Sequence, residues 1–263
     1  MDAGNILEVR DLKVHFPIKK GVFARTVGHV KAVDGVSFDV RRGETLGVVG
    51  ESGSGKSTTA RVVAGLVKAT SGSFSLDGRL GMVFQDPLGS LNPRLTVRAT
   101  LEEASAFGRS PNLPISRSNN RTIEQSNNRT IEHLLHLVGL DDSALDKYPH
   151  EFSGGQRQRI CIARAIACEP KLLVCDEAVS ALDLSIRAQV LDLLADLKAR
   201  LGLSILFITH DLGVVQHVAD RVIVMQRGRI VERGTCAEVL RSPKEAYTRE
   251  LMAAVPKIGK PLA

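Results

Sequence analysis

The sequence predicts an α/β fold in which helices cover both faces of a largely parallel sheet. Short runs that are almost wholly apolar, such as "TLGVV", "LLVCD" and "LSILFIT", are typical of strands that are buried on both faces. Between them lie longer segments with the apolar spacing of a helix, such as "SIRAQVLDLLADLKARLG", which ends at a glycine. Strands that alternate with helices in this way favour parallel pairing.

Length and composition indicate an ordinary globular chain without a membrane segment. Its 263 residues are 43% apolar and 24% charged, which suffices for one large domain or two small ones. No apolar run approaches the roughly 18 residues of a membrane helix, and the first residues lack a signal-peptide layout. We therefore expect a soluble protein, for which any membrane role requires partner subunits.

Charge and cysteine usage narrow the range of partners. The net charge of +6 permits nucleic acid or an anionic membrane as a partner, but there is no long run of Lys or Arg. A solvated basic surface is therefore the favoured interpretation. The four cysteines, Cys161, Cys168, Cys175 and Cys236, form no C-x-x-C pair. We expect free thiols in a reducing compartment rather than a zinc or iron–sulfur site.

The chain opens with two predicted strands, "ILEVRDLKVHF" and "VKAVDGVSFDV", the second of which alternates cleanly between apolar and polar residues. Phe38 falls on the apolar side of that alternation and is expected in the core. Further strands are predicted at "GSFSLDG", "LGMVFQ", "VIVMQ" and "RIVERG", and two short helices close the chain.

A glycine-rich stretch, "GVVGESGSGKSTTA", follows the buried run "TLGVV". Its spacing fits G-x-x-x-x-G-K-[ST], the phosphate-binding loop, in which backbone N–H groups and a helix N-terminus surround phosphate oxygens. In such a loop Lys56 reaches the outer phosphates and the Ser57 hydroxyl is placed to bind Mg2+. The helix "KSTTARVVAGLV" should present Val62, Val63 and Leu66 on one face. The expected nucleotide-binding residues are Gly50, Ser52, Gly53, Ser54, Gly55, Lys56, Ser57 and Thr58.

Residues 96–140 have a helical pattern that a polar loop interrupts. The loop contains a tandem copy, "SNNRTIEQSNNRTIE", whose period of eight residues matches no solenoid repeat. We interpret it as a duplicated loop segment. Its second copy leads into a helix that carries Ile131, Leu134, Leu135 and Val138.

The segment "FSGGQRQR" predicts a second phosphate-binding surface. Ser153 is placed as the N-cap of a helix expected over residues 155–167, and Gly154 and Gly155 expose backbone N–H groups at its positive end. Because the chain already has one phosphate-binding loop, a second such surface makes sense if each nucleotide is held between two subunits.

Two carboxylates follow the buried run "LLVC", which has the form of a Walker B strand. Ligands bind at the carboxyl end of strands in such sheets. Asp176 is suited to hold Mg2+, and Glu177 is suited to polarise an attacking water.

The order of these motifs identifies the family. "SGGQ", "CDE", "SALD" and "ITHD" follow the phosphate-binding loop in turn, and the whole chain resembles the nucleotide-binding subunit of an ABC transporter. The resemblance implies a P-loop NTPase ABC ATPase core with an antiparallel β-subdomain and an inserted α-helical subdomain. It implies a single ATP-binding domain over residues 1–263, with the helical subdomain at about 96–166 and accessory helices at about 235–263.

The resemblance also implies roles for single residues, with ATP and Mg2+ as ligands. Gln85 resembles the Q-loop glutamine, which contacts Mg2+ and water and connects to the membrane subunits. Asp183 resembles the D-loop aspartate at the dimer interface, and Gln156 completes "SGGQ". His210 resembles the switch histidine that contacts the γ-phosphate; the alternative is a core histidine at a strand end. Phe16 lies where the family stacks adenine on an aromatic ring; the alternative is a rim residue.

Three longer segments of the sequence resemble those of the oligopeptide, dipeptide and nickel importer group: "VFQDPLGSLNPRLTV", "YPHEFSGGQRQRI" and "YTRELMAAVP". That similarity implies transmembrane permease subunits, an identical or homologous ATPase partner, an extracytoplasmic solute-binding protein as an indirect partner, and a place on the cytoplasmic face of the inner membrane. The segment "RLG" before "MVFQDP" is shorter than is usual in the group. The rival class, an ABC ATPase that acts on nucleic acid or ribosomes, usually shows a fused second cassette, a zinc insertion or long coiled coils, and the sequence has none.

Overall fold

The computed structural model describes residues 4–20, 25–108 and 131–254. The chain divides into two compact units, one formed by residues up to Leu76 and from Leu206 onward, the other by Asp77–Ile205. Within the described ranges, no helix is long and apolar enough to cross a membrane.

The described elements follow the predicted alternation of strands and helices. The strands are β1 (Asn5–Lys20), β2 (Arg25–Arg41), β3 (Thr45–Val49), β4 (Ser71–Leu76), β5 (Leu80–Val83), β6 (Leu172–Asp176), β7 (Ser204–Thr209), β8 (Arg221–Gln226) and β9 (Arg229–Thr235). The helices are α1 (Lys56–Val63), α2 (Pro87–Ser90), α3 (Val97–Gly108), α4 (131–137), α5 (Gly154–Ile166), α6 (Leu184–Leu201), α7 (Leu212–Val218), α8 (Cys236–Arg241) and α9 (Ala246–Ala254).

The first unit contains a three-stranded antiparallel sheet in the order β2-β1-β4. Apolar residues that alternate along β1 and β2 pair across the strands, as Val9 does with Phe38. Phe38 is buried, which confirms the prediction from its alternation. This sheet is the antiparallel part of the predicted fold class.

A second sheet in the first unit has the order β7-β3-β8-β9. Strands β3 and β8 run parallel, and β9 is antiparallel to β8. Every residue of β3 and of β7 is buried, which explains why their sequences are continuous rather than alternating apolar runs.

Helix α1 is shorter than the sequence predicts. It ends at Val63, and Leu66, expected on its buried face, lies outside the helix and is 58% exposed. Gly65 takes the left-handed conformation with a φ of 73°. The N–H groups of Gly65 and Leu66 donate to the carbonyls of Val62 and Arg61, at 2.9 and 2.8 Å. This is the Schellman pattern of helix termination, so a glycine inside the apolar pattern ends the helix.

Helices α7, α8 and α9 pack with β3 and β8 around one apolar cluster in the first unit. Thr235 caps α8 through a capping box with Glu238, and Gly202 ends α6 in the left-handed conformation. The predicted glycine stop of α6 is therefore confirmed.

The second unit pairs β5 with β6 in parallel and surrounds helix α5 with α2, α3 and α6. Ile131, Leu134, Leu135 and Val138 are buried, as the helical pattern predicts. Of the duplicated segment Ser118–Glu132, residues 118–130 lie outside the described residues. All four cysteines are free, with Cys161 and Cys175 fully buried. The predicted fold class, a P-loop ATPase core with an antiparallel sheet and an inserted helical region, is confirmed.

Candidate active site

The glycine-rich loop joins the buried strand β3 to α1 within the first unit. Its first and last glycines have positive φ angles, 152° at Gly50 and 104° at Gly55. A Cβ atom would lie 2.2 Å from the Met225 carbonyl oxygen at Gly50, and 2.3 Å from the Ala32 carbonyl oxygen at Gly55. Only glycine fits at either position, because both the backbone angle and the neighbouring backbone exclude a side chain.

Lys56 begins α1 and is almost fully buried, with 3% of its surface exposed. Its ammonium donates to the carbonyl oxygens of Gly50 and Glu51, at 2.6 and 2.7 Å, and to Ser54 Oγ at 3.3 Å. The N-cap is Gly55, whose lack of a side chain leaves no hydroxyl or carboxylate over the first turn. The loop therefore surrounds a buried positive charge at a helix N-terminus, an arrangement that favours anions.

The turn between β8 and β9 braces the loop from one side. Arg227 and Gly228 have φ angles of 48° and 80°, the left-handed pair of a two-residue hairpin turn. The Gly228 N–H donates to the Ser54 carbonyl at 2.9 Å, and the Gly228 carbonyl accepts from the Asp34 N–H at 2.8 Å. This contact between the turn and the loop was not predicted from the sequence. The glycine between two predicted strands could have indicated the turn, but not its contact with the loop.

The other loop residues lie where the spacing predicts. Ser52 and Gly53 are exposed at the tip of the loop, whereas Ser54 is buried. Ser57 and Thr58 are half-buried in the first turn of α1. The tip of the loop therefore presents backbone and small side chains to solvent, whereas Lys56 is buried beneath it.

Phe16 lies on β1 and is 43% exposed, so it is not a core residue. It pairs with Val30 of β2, which is also exposed. Two residues further along β2 is Ala32, whose carbonyl lies against Gly55 of the loop. At about 3.3 Å per residue, this apolar pair is roughly 7 Å along the strand from the point of contact with the loop.

His210 also belongs to the first unit. It follows β7 and is exposed, which excludes the alternative of a core histidine. The next residue, Asp211, caps α7 by accepting from the N–H groups of Gly213 and Val214. The imidazole therefore precedes a capped helix whose start is fixed.

Asp176 is the last residue of strand β6 in the second unit, and Glu177 directly follows the strand. Asp176 is 4% exposed, and Glu177 is half-buried. Glu177 has a φ of 51°, a left-handed conformation that is uncommon outside glycine and often found at functional sites. Its carbonyl accepts from the N–H and the hydroxyl of Ser180, at 3.1 and 2.9 Å, which holds the strained turn.

Burial and the charge of Asp176 raise the pKa of the Cys175 thiol to about 12. The thiol is therefore protonated and unreactive at neutral pH. This agrees with the expectation of buried, free cysteines.

The "SGGQ" segment forms the start of helix α5 in the second unit. Ser153 is the N-cap: its Oγ accepts from the Gln156 N–H at 3.3 Å, and Gln156 Oε1 accepts from the Ser153 N–H at 3.0 Å. The Gln156 side chain thus completes a capping box. The first bond of the helix runs from the Arg157 N–H to the Ser153 carbonyl at 2.9 Å, so the N–H groups of Gly154 and Gly155 have no carbonyl one turn earlier in the helix and point out of its first turn.

Asp183 caps α6 close to the same place. Its carboxylate accepts from the Ile186 N–H at 2.9 Å and from Ser185 Oγ at 2.8 Å. These hydrogen bonds, the backbone one first, lower the pKa of Asp183. Ile186 lies so near Gly155 that a Cβ there would be 2.6 Å from Ile186 Cγ2. The structure thus brings the starts of α5 and α6 together within the second unit.

Gln85 is exposed in the turn that follows β5. Asp86 caps the short helix α2 immediately after it, accepting from the Leu88 N–H at 2.9 Å. Cys161 of α5 contacts Ser90 of α2, with 3.3 Å between Sγ and Oγ. The Gln85 turn is therefore linked through α2 to the helix that "SGGQ" begins.

A buried strand, a glycine-rich loop and a helix that begins at a buried lysine define a P-loop nucleotide-binding ATPase core. The sequence model of the ABC transporter family matches residues 33–180. The oligopeptide transport ATP-binding protein OppF of Salmonella typhimurium is 48% identical over 95% of this chain and 78% of its own length. The dipeptide transport ATP-binding protein DppF of Escherichia coli is 44% identical over 97% of this chain and 77% of its own.

Among solved structures, the dimeric bacterial ABC transporter cassette MJ0796 superposes with a TM-score of 0.71. It is 25% identical, and the match covers 88% of this chain and 98% of that one. The chain belongs to the ABC transporter family. It binds and hydrolyses ATP, and these comparisons give no support to the alternative of an ATPase that acts on nucleic acid or ribosomes.

Proposed function

We propose that this chain is the ATPase subunit of an importer for peptides or nickel-type cargo, and that ATP-driven closure of its dimer powers transport. The observation that carries the proposal is the presence of two backbone surfaces suited to phosphate in one chain, the loop around Lys56 and the capped start of α5 at Gly154. The names of OppF and DppF, which refer to oligopeptide and dipeptide transport, support the cargo class.

The two surfaces serve different nucleotides. The loop around Lys56 binds the phosphates of ATP in its own subunit, and the N–H groups of Gly154 and Gly155 contact the γ-phosphate of ATP bound to a partner ATPase. Asp183, at the start of α6, accepts from the N–H of Ile186, and the Ile186 side chain lies against Gly155. Asp183 therefore belongs to the same surface that contacts the partner. The dimeric form of the MJ0796 cassette supports this arrangement.

Mg2+ is the expected metal, because the candidate donors are all oxygens. They are the Ser57 hydroxyl, the Gln85 amide and the Asp176 carboxylate, and hard oxygen donors with few carboxylates suit this ion. When bound, Mg2+ neutralises charge on the β- and γ-phosphates.

Hydrolysis is assigned to the chain's own groups. Glu177 accepts a proton from the attacking water, and the bonds from Ser180 to its carbonyl hold its backbone in place. His210 contacts the γ-phosphate, and Lys56 stabilises the negative charge on the outer phosphates. Gln85 and α2 transmit the closing movement of the dimer to the membrane subunits, since the Gln85 turn is exposed and α2 contacts α5.

We propose further that all of residues 1–263 form one ATP-binding domain, with a helical subdomain near 96–166 and accessory helices from about 235. The domain docks on transmembrane permeases at the cytoplasmic face of the inner membrane. An extracytoplasmic solute-binding protein delivers the cargo to those permeases and does not touch this chain.

Phe16 supplies the stacking face for adenine, supported by its exposure and by the approach of β2 to the loop. Phe16→Ala should weaken ATP binding by about 1–3 kcal/mol, by analogy with base–aromatic stacking. Phe16→Tyr keeps the ring and should bind ATP almost as the parent does. Calorimetric titration with ATP measures both. If the parent and the alanine variant bind ATP with equal affinity, Phe16 does not stack on adenine and is a rim residue.

Co-purification from membranes tests the proposed function as a whole. The tagged chain, extracted in mild detergent, should bring down two multi-span permeases and a second ATPase subunit. Cargo-stimulated ATPase activity should then depend on an added solute-binding protein. Recovery of ribosomes or nucleic acid in place of permeases would contradict the proposal.

A further inference from the structure

The C-terminal helix α9 reaches the phosphate-binding loop through one side chain. The Glu51 N–H donates to the Tyr247 hydroxyl oxygen at 3.0 Å. Tyr247 is 8% exposed, and its ring packs in the apolar cluster of α7, α8, β3 and β8. The two residues are 196 positions apart in the sequence, so only the fold brings them together.

The peptide unit that Tyr247 holds is also the one that Lys56 contacts. The bond between Gly50 and Glu51 carries the Glu51 N–H on one side and the Gly50 carbonyl on the other. The carbonyl accepts from Lys56 Nζ at 2.6 Å. In a trans peptide these two groups point in opposite directions. A hydrogen bond on the N–H side therefore sets the direction of the carbonyl on the side of the ammonium.

We propose that Tyr247 is a positioning residue for nucleotide binding: its hydroxyl fixes the Gly50–Glu51 peptide and thereby the place of the Lys56 ammonium. The proposal rests on the proposed function of the loop as the ATP site. Tyr247 itself touches no nucleotide. Its hydrogen bond acts before ATP arrives. Because it limits the conformations of the free loop, less conformational entropy is lost when ATP binds.

A second contact holds the start of α9 and so fixes the position of Tyr247. The Glu232 carboxylate of β9 accepts from the backbone N–H groups of Lys244 and Glu245, at 2.8 and 3.2 Å. These residues directly precede α9. Burial raises the pKa of the Tyr247 phenol, so the group is neutral at neutral pH and accepts the Glu51 N–H through a lone pair.

Tyr247→Phe is the direct test, because it keeps the buried ring and removes the acceptor. With the full-length chain, we expect ATP affinity to fall about three- to tenfold, the range for one lost neutral hydrogen bond. In the assembled transporter, KM for ATP should rise by a similar factor while kcat at saturating ATP is retained. A role in packing alone would instead lower the melting temperature and the active fraction, without this split.

Val239→Ala is the matched control. Val239 is buried in the same cluster as Tyr247, on helix α8, which packs against β9, α7 and β8. It should lower the melting temperature at least as much as Tyr247→Phe does and leave ATP affinity unchanged. The proposal is overturned if Tyr247→Phe binds ATP like the parent, or if Val239→Ala weakens binding as much.

Lys56→Ala, measured in parallel, separates this inference from the proposed function. If Lys56→Ala loses ATP binding and Tyr247→Phe does not change it, only the role of Tyr247 is wrong. If Lys56→Ala still binds ATP like the parent, the loop is not the ATP site, and both proposals are wrong.

Discussion

Glu177→Gln should lower steady-state ATP hydrolysis about 10²- to 10⁴-fold, the usual contribution of a general base, while ATP still binds. Glutamine keeps the size and the hydrogen-bonding reach of glutamate but cannot accept the water proton. The turn that holds the side chain is unaffected, because Ser180 bonds to the Glu177 backbone carbonyl. We also expect ATP to trap this variant as a long-lived closed dimer, which size-exclusion chromatography would detect.

Glu169→Gln provides a matched control for that change. Glu169 is another glutamate with a left-handed backbone, its φ being 50°, and it lies in the same unit on an exposed surface. The same substitution there makes an equal change in charge and backbone preference. Turnover by the assembled complex should be unaffected. Unimpaired hydrolysis by Glu177→Gln would remove Glu177 from the role of base.

Local patterns in the sequence predicted much of the fold and of the candidate site. The loop around Lys56 and the cap at Ser153 depend on residues that lie within a few positions of one another, so their spacing carries the geometry. The strands β3, β6 and β7 are short apolar runs in which every residue is buried, and their short length favours strands over helices. The predicted start of α5 was one residue late, at Gly155 instead of Gly154.

Features that depend on distant contacts could not be predicted in the same way. The bond from the Glu51 N–H to Tyr247 and the bond from the Gly228 N–H to Ser54 join segments that only the folded sheet brings together. The predicted end of α1 was wrong for a different reason. The apolar spacing continues to Leu66, but the left-handed Gly65 ends the helix before it.

Lys56→Ala and Gly154→Asp should separate the two phosphate-binding surfaces. Lys56→Ala removes the charge at the centre of the loop, and the isolated chain should lose ATP binding. Gly154→Asp adds a negative charge where, in the proposed shared site, the γ-phosphate of a partner's ATP approaches the start of α5, and like charges in such a desolvated place repel strongly. The isolated Gly154→Asp chain should bind ATP like the parent. In the assembled transporter both variants should lose most turnover.

The choice of Gly154 over Gly155 follows from the packing. A side chain at Gly155 would meet Ile186 Cγ2 at 2.6 Å, so Gly155→Asp would combine a clash with a charge. A Cβ at Gly154 has open space around it. An acidic residue in the first turn of a helix stabilises the helix. Lost turnover in Gly154→Asp therefore cannot come from a weaker α5.

Gly154→Asn is the control for shape, since asparagine has nearly the same size as aspartate without the charge. It should retain much more turnover than Gly154→Asp, and both isolated chains should bind ATP with equal affinity. Calorimetry on the isolated chains and ATPase assays on the complex give the two readouts. If Gly154→Asp abolishes ATP binding by the isolated chain as fully as Lys56→Ala does, each nucleotide is held within one subunit, and the shared-site arrangement is wrong for this protein.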